Sequence, residues 1–139
     1  MTARTIEATP WALAWEWIAR PSHYRAVREF RLAAESGDRD RLGALLDPGV
    51  AVVVDPGGPA HEGARVVEGL QDAITLLVHG LRSRGGLSVV ERSVNGQAGL
   101  LVTRQGEPSA LINVDFTGRR VSVVWVRLHP DLVRRGNRV

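Results

Sequence analysis

Cysteine is missing from all 139 residues, so disulfides and thiolate chemistry are excluded, and the chain is expected in a reducing, cytoplasmic compartment. Lysine is missing as well: the 18 basic residues are all arginine. The one methionine is the first residue. With abundant Ala, Gly and Val, this points to GC-rich coding and a bacterial source. No apolar run reaches the length that crosses a bilayer, so neither a signal peptide nor membrane association is expected. Concentrated charge is lacking too. The sequence pI near 10.8 overstates the basic character, because arginine does not titrate below about pH 12 and the net charge is only +3. The arginines are interleaved with acids, and only Arg134, Arg135 and Arg138 cluster. A nucleic-acid partner needs charge gathered on one face, so none is expected.

What is present suffices for one domain with one core: 44% of the residues are hydrophobic. Residues 1–22 form a Trp-rich extension holding Trp11, Trp15 and Trp17. Pro10 suits the first position of a short helix over 11–19, with Trp11, Trp15 and Ile18 on one stripe. Pro21 is expected to break it. From His23 to Ser36, Tyr24, Val27, Phe30, Ala33 and Ala34 recur at the helical period. Gly37 ends that helix, and Asp38 caps a shorter one carrying Leu42, Leu45 and Leu46, stopped by Asp47-Pro48-Gly49. Val50 to Val54 reads as a strand buried on both faces, and Asp55-Pro56-Gly57-Gly58-Pro59 as a loop. Residues 65–81 read as one helix, with Val67, Leu70, Ile74, Leu77, Val78 and Leu81 on a face. Four strands follow, over 87–94, 97–104, 109–116 and 120–128. The first pair is hinged on Asn95-Gly96, a pair suited to a type I′ turn. Helices first and an antiparallel meander last predict an α+β fold, a curled sheet over helices with a cleft between the layers.

This order resembles the SnoaL-like group of the nuclear transport factor 2-like (cystatin-like) superfamily. Phe30-Arg31-Leu32-Ala33-Ala34-Glu35-Ser36-Gly37-Asp38 resembles the group's first helix and its stop, and Leu45-Leu46-Asp47-Pro48-Gly49-Val50 its second helix running into strand one. Three further segments resemble the SnoaL-like domain at the carboxy end of one class of extracytoplasmic-function sigma factors. They are Val53-Val54-Asp55-Pro56-Gly57-Gly58, Val94-Asn95-Gly96-Gln97-Ala98-Gly99 and His129-Pro130-Asp131-Leu132. The family usually has Asp-Gly-Gly-Gly and a basic residue in the first of these, where Pro56 and Pro59-Ala60 stand here. Its terminal motif begins Asn-Pro-Asp-Lys-Leu, where His129 and Leu132 replace Asn and Lys. The resemblance covers the domain 23–133, between the Trp-rich extension and a basic tail, 134–139. The chain has no room for the two sigma helical domains, so the resemblance implies a stand-alone regulatory module, with a protein partner in transcription regulation, and does not carry DNA recognition.

Asp55, at the end of the first strand, reads either as a base whose pKa desolvation would raise or as a turn aspartate bonded to the amides of Gly57 or Gly58. In the resembling sigma factors that motif serves contact with the sigma core. Asp115 is the one acid on the expected cleft strands. Side-chain alternation joins Asn113 with Leu111 and Asp115, and joins Trp125 with Val121, Val123 and Arg127. Asn113, Trp125 and Arg127 are expected to give the cleft an amide, an aromatic wall and a cation, as a small-molecule pocket needs. The alternative is Trp125 in the core and Arg127 at a rim. With Trp15, Tyr24, Phe30, Asp55 and His61 they make the expected ligand-binding set. Neither His61 nor His79 has a partner at metal-ligand spacing, and no phosphate loop or nucleophile triad can be assembled, so no metal or cofactor is expected. Two functions compete. One is a binding module for a small apolar ligand or a protein segment, expected to homodimerise through the outer sheet face. The other is an isomerase, cyclase or hydrolase using Asp55 or Asp115.

Overall fold

The computed structural model describes residues 10–56, 63–94 and 96–128, with the side chains of 10–22 and 94 outside the description. Helix α1 spans Pro10–Ser36. The expected break at Pro21 does not occur. Proline lacks an N–H, so the helix forgoes the single bond that would reach the Trp17 carbonyl and continues on both sides. The stripe read from the sequence is where α1 enters the core: Val27, Phe30, Ala33 and Ala34 are buried and Tyr24 packs against them. Gly37, at φ +71°, ends the helix, with its N–H on the carbonyl of Ala34 and that of Asp38 on Ala33. Asp38 then opens α2, Arg39–Leu45, by accepting from the N–H of Arg41 at 3.0 Å.

Strand β1 runs Leu46–Asp55. Leu46 therefore belongs to the strand and not to the helix expected to hold it. Asp47-Pro48-Gly49 does not end an element but loops out of one. The ladder with the last strand jumps from Leu46↔Val121 to Ala51↔Val123, and the carboxylate of Asp47 accepts from the N–H of Gly49 at 2.8 Å. The expectation of burial on both faces is also corrected: Val50 and Val52 are buried, whereas Ala51 and Val53 are only half-buried. Helices cover one side of the strand alone.

The helix expected over 65–81 is two elements, β2 at Arg65–Glu68 and α3 at Leu70–Leu81. Val66 and Val67 pair with Val53 and Val52 of β1, and a neighbouring strand with free edge groups overrides a weak helical pattern. Gly69 makes the junction at φ +99°, and its N–H reaches the Val50 carbonyl at 3.0 Å. Strands β3 (Leu87–Val94), β4 (Gln97–Arg104), β5 (Glu107–Thr117) and β6 (Arg120–Leu128) follow. The β3–β4 hairpin turns at the expected place, with Val94 opposite Gln97 and Gly96 at φ +80°; Asn95 lies outside the described residues.

The six strands form one open mixed sheet in the order β2-β1-β6-β5-β4-β3. Only β1–β6 is parallel. The three helices of the described residues lie on its inner face, so the class is α+β, as the element order predicted. The core forms between them: Phe30 and Leu42 from the helices meet Val50, Val52, Leu100 and Val124 from the sheet. Arg31 ties α1 to the sheet edge, bonding Glu91 of β3 at 2.7 Å and Glu35 at 2.5 Å. Desolvation works against its charge, but these two carboxylates outweigh it and raise its pKa above the ordinary guanidinium value.

Candidate ligand cavity

Helix α3 crosses the inner face of the sheet with Ala73, Ile74, Leu77 and Leu81 buried against it. At its C-terminal end the helix and sheet separate, and a cavity of about 260 Å³ opens. Leu76, Leu77 and Leu81 form its helical wall. Opposite them stand Val52 and Val54 of β1, Val126 and Leu128 of β6, and Ile112 and Ala110 of β5. These sheet residues share a face because each is two positions from the next in its strand. The parallel β1–β6 ladder aligns Val54 with Val126. Polar groups stand at the rim: His79 and Arg84 beside the end of α3, Arg104 at the end of β4, and Ser109 at the start of β5. His79, Arg84 and Arg104 are exposed. Arg84 donates through Nη1 to the His79 carbonyl at 2.9 Å. No carboxylate is among the described residues that line this cavity. No group of three or more His, Asp or Glu among the described residues is arranged to hold a metal ion.

The expectation that Asn113, Trp125 and Arg127 point into the cleft is corrected. Ala110, Ile112 and Val114 are the buried residues of β5, which turns Leu111, Asn113 and Asp115 to the outer face. On β6 the expected alternation is interrupted. The ladder with β5 slips between Asp115↔Val123 and Phe116↔Val121, which leaves Ser122 as an extra residue. Val121 and Val124 are therefore both buried, while Val123, Trp125 and Arg127 face outward. A bulge of this kind moves every side chain beyond it to the other face.

On that outer face Trp125 stays 46% exposed and donates its Nε1–H to Asp115 at 2.9 Å. Asn113 is its ladder partner, and its Oδ1 is buried with no hydrogen-bond partner among the described residues. Asp55 ends β1 on the same face, aligned with Arg127. The structure thus brings together Asp55, Asn113, Asp115, Trp125 and Arg127, but away from the cavity. Tyr24 packs against the core and Phe30 lies within it, and neither lines the cavity. Trp15 and His61 lie outside the described side chains. Arg84, Arg104 and Ser109 were missed. Arg104 carried a usable signal, because it stands two residues beyond Val102, a core position of the same strand. Arg84 comes from a connection with no periodicity and carried none. A second, more polar depression lies near the turn between β5 and β6, where His23 stacks on Phe116 with ring centroids 4.5 Å apart, beside Arg25 and Arg119.

Solved structures with this arrangement are numerous. An NTF-2 like protein of unknown function from Burkholderia xenovorans superposes with a TM-score of 0.56 at 15% identity, over 79% of this chain and 85% of that one. The chain has the nuclear transport factor 2-like fold. The extracytoplasmic function sigma factor SigJ of Mycobacterium tuberculosis matches at TM-score 0.59 and 21% identity, over 86% of this chain but only 46% of the sigma factor. An LEH-like epoxide hydrolase of the same bacterium matches at TM-score 0.55 and 16% identity, covering 84% of this chain and 90% of that one. No family model matches the sequence, and no curated protein matches it. The neighbours span an enzyme and a transcription factor, so the shared fold does not carry one function.

Proposed function

We propose that this chain is a binding module whose site is the apolar cavity between α3 and the inner sheet face. The observation that carries the reading is the lining: a continuous aliphatic wall with polar groups at the rim and, among the described residues, no carboxylate inside. An acid/base isomerase, cyclase or hydrolase needs a desolvated acid beside its substrate. Asp55 and Asp115 belong to the opposite face of the sheet, and Asp115 is engaged by Trp125. Indole is a suitable neutral probe, since an apolar cavity of ~150 Å³ already takes benzene. Calorimetric titration is expected to show saturable binding that Ala110→Phe, which fills the cavity from β5, abolishes without unfolding the protein. Absence of saturable binding, or retention of it in the folded variant, overturns the reading.

The outer face supports a second element of the proposal, a homodimer. Trp125 at 46% and Val90 at 45% are large apolar side chains left in solvent; Leu101 and Leu111 on the strands between them, and Val53 on the other side of Trp125, are only partly covered. An isologous contact would bury this surface on both copies. Sedimentation is expected to give a dimer in the wild type and a monomer for Trp125→Arg; a wild-type monomer at high concentration removes this element. A regulatory contact with a transcription protein in the cytoplasm is a further reading, supported by the likeness to SigJ. It would use the segment beginning at Asp55, and Asp55→Ala leaving partner recovery unchanged would count against it.

A further inference from the structure

We infer that the ligand of this cavity is an apolar anion: an aryl or alkyl body bearing one compact negative group, such as a carboxylate. The inference rests on the binding reading above and goes further in naming the ligand's charge and size. Two guanidinium groups from separate elements converge on one mouth. Arg84 lies between α3 and β3, and Arg104 ends β4. Both are exposed, as charges must be at the edge of a wall that cannot solvate them. Glu107 stands opposite Arg104 in the β4–β5 ladder but is not among the lining residues; the charged side chains among the described lining residues are the two arginines.

The geometry around α3 strengthens the point. A helix C-terminus carries partial negative charge that disfavours an anion. Here Arg84 donates to the His79 carbonyl in the last turn of α3, which offsets that charge and fixes one edge of the guanidinium. The remaining N–H groups stay available, and a planar guanidinium suits bidentate contact with a carboxylate. Ser109 adds a hydroxyl donor on the same rim. Inside, the described residues offer aliphatic carbon to the rest of the molecule. A volume of about 260 Å³ limits that body to a single ring with a short chain, or an alkyl chain of similar bulk.

The test uses three matched probes on the full chain: 4-phenylbutyrate, 4-phenylbutan-1-ol and 4-phenylbutylamine, titrated at low and high salt. The carboxylate is expected to bind at least about ten-fold more tightly than the alcohol at low salt, as charge-assisted hydrogen bonds predict, with the amine weakest. Salt should narrow the gap. In the double variant Arg84→Gln, Arg104→Gln the gap should fall to about two-fold, with the alcohol's affinity and the unfolding temperature unchanged. An alcohol that binds as tightly as the carboxylate, an amine that binds tighter, or an undiminished gap in the double variant overturns the anion inference and leaves the apolar cavity standing. No binding by any of the three overturns both.

Discussion

Leu100 and Leu101 are neighbours on β4 with the same side chain, yet their surroundings have little in common. Leu100 is 1% exposed beneath the helices, whereas Leu101 stands half-covered on the outer face beside Leu111, its ladder partner on β5. The same contrast runs along the whole sheet. The inner face is largely aliphatic and covered by α1, α2 and α3, with the cavity at the C-terminal end of α3. The outer face is mixed, with Trp125 and Val90 in solvent, an indole-to-carboxylate bond between Trp125 and Asp115, and a buried amide oxygen on Asn113 that bonds to none of the described residues. A sheet with one covered face is stable as it stands. What the second face does is left to polar pairs and to whatever binds there.

The contrast can be broken most directly by truncating those two leucines. Leu100→Ala is expected to cost about 2–5 kcal/mol by chemical denaturation, from lost transfer free energy and the cavity left behind. Leu101→Ala should cost about 1 kcal/mol or less at low protein concentration, in line with its partial exposure. Equal costs would mean that the outer face is already covered. A Leu101→Ala cost that grows with protein concentration would identify a second copy as the cover.

A smaller effect probes how the inner face is closed. Gly69 links β2 to α3 at φ +99°, and nothing lies within 4 Å of where a Cβ would project, so the strain of Gly69→Ala is in the backbone alone. About 1–3 kcal/mol of stability should be lost, the cost of holding an L-residue at φ +99° and ψ 146°, a region nearly reserved for glycine. A neutral result in thermal unfolding would show that α3 reaches the sheet without this turn.

A comparably small effect belongs to Asn113 and should have the opposite sign. Its buried oxygen, unbonded among the described residues, costs folding free energy that Asn113→Val removes, while β-branching suits the strand. A gain of about 1 kcal/mol is expected in the isolated chain. Loss of stability instead would mean that the amide has a partner in the native protein, and would point again to a contact made on the outer face.

Much of the fold was legible because its signals are local. Gly37 and Asp38 end one helix and start the next with bonds confined to a few residues. The hinge before Gln97 and the stripe Val27-Phe30-Ala34 depend on periods of two or 3.6 that any reading of the chain can detect. The errors fell where an element depends on its neighbours. Arg65–Glu68 is a strand because β1 offers it a ladder, and four residues carry too little pattern to announce that. Leu46 is strand and not helix for the same reason, and Pro21 failed to stop a helix whose remaining bonds outweigh the one it removes.

The site divides along the same line. Alternation by itself determined that Asn113 travels with Asp115 and that Trp125 travels with Arg127, and it did so correctly. Which face was inside was decided only when helices covered one side, and the extra residue at Ser122 moved Val121 across. The residues that looked most chemical, the two aspartates, the tryptophan and the amide, therefore gather on the outer face. The cavity draws its character from unremarked aliphatic positions and from Arg84 and Arg104, 20 residues apart in sequence. Sequence determines which side chains share a face, because that is set by bond geometry within one strand. Tertiary structure decides which face is buried, because burial depends on what packs from outside the strand.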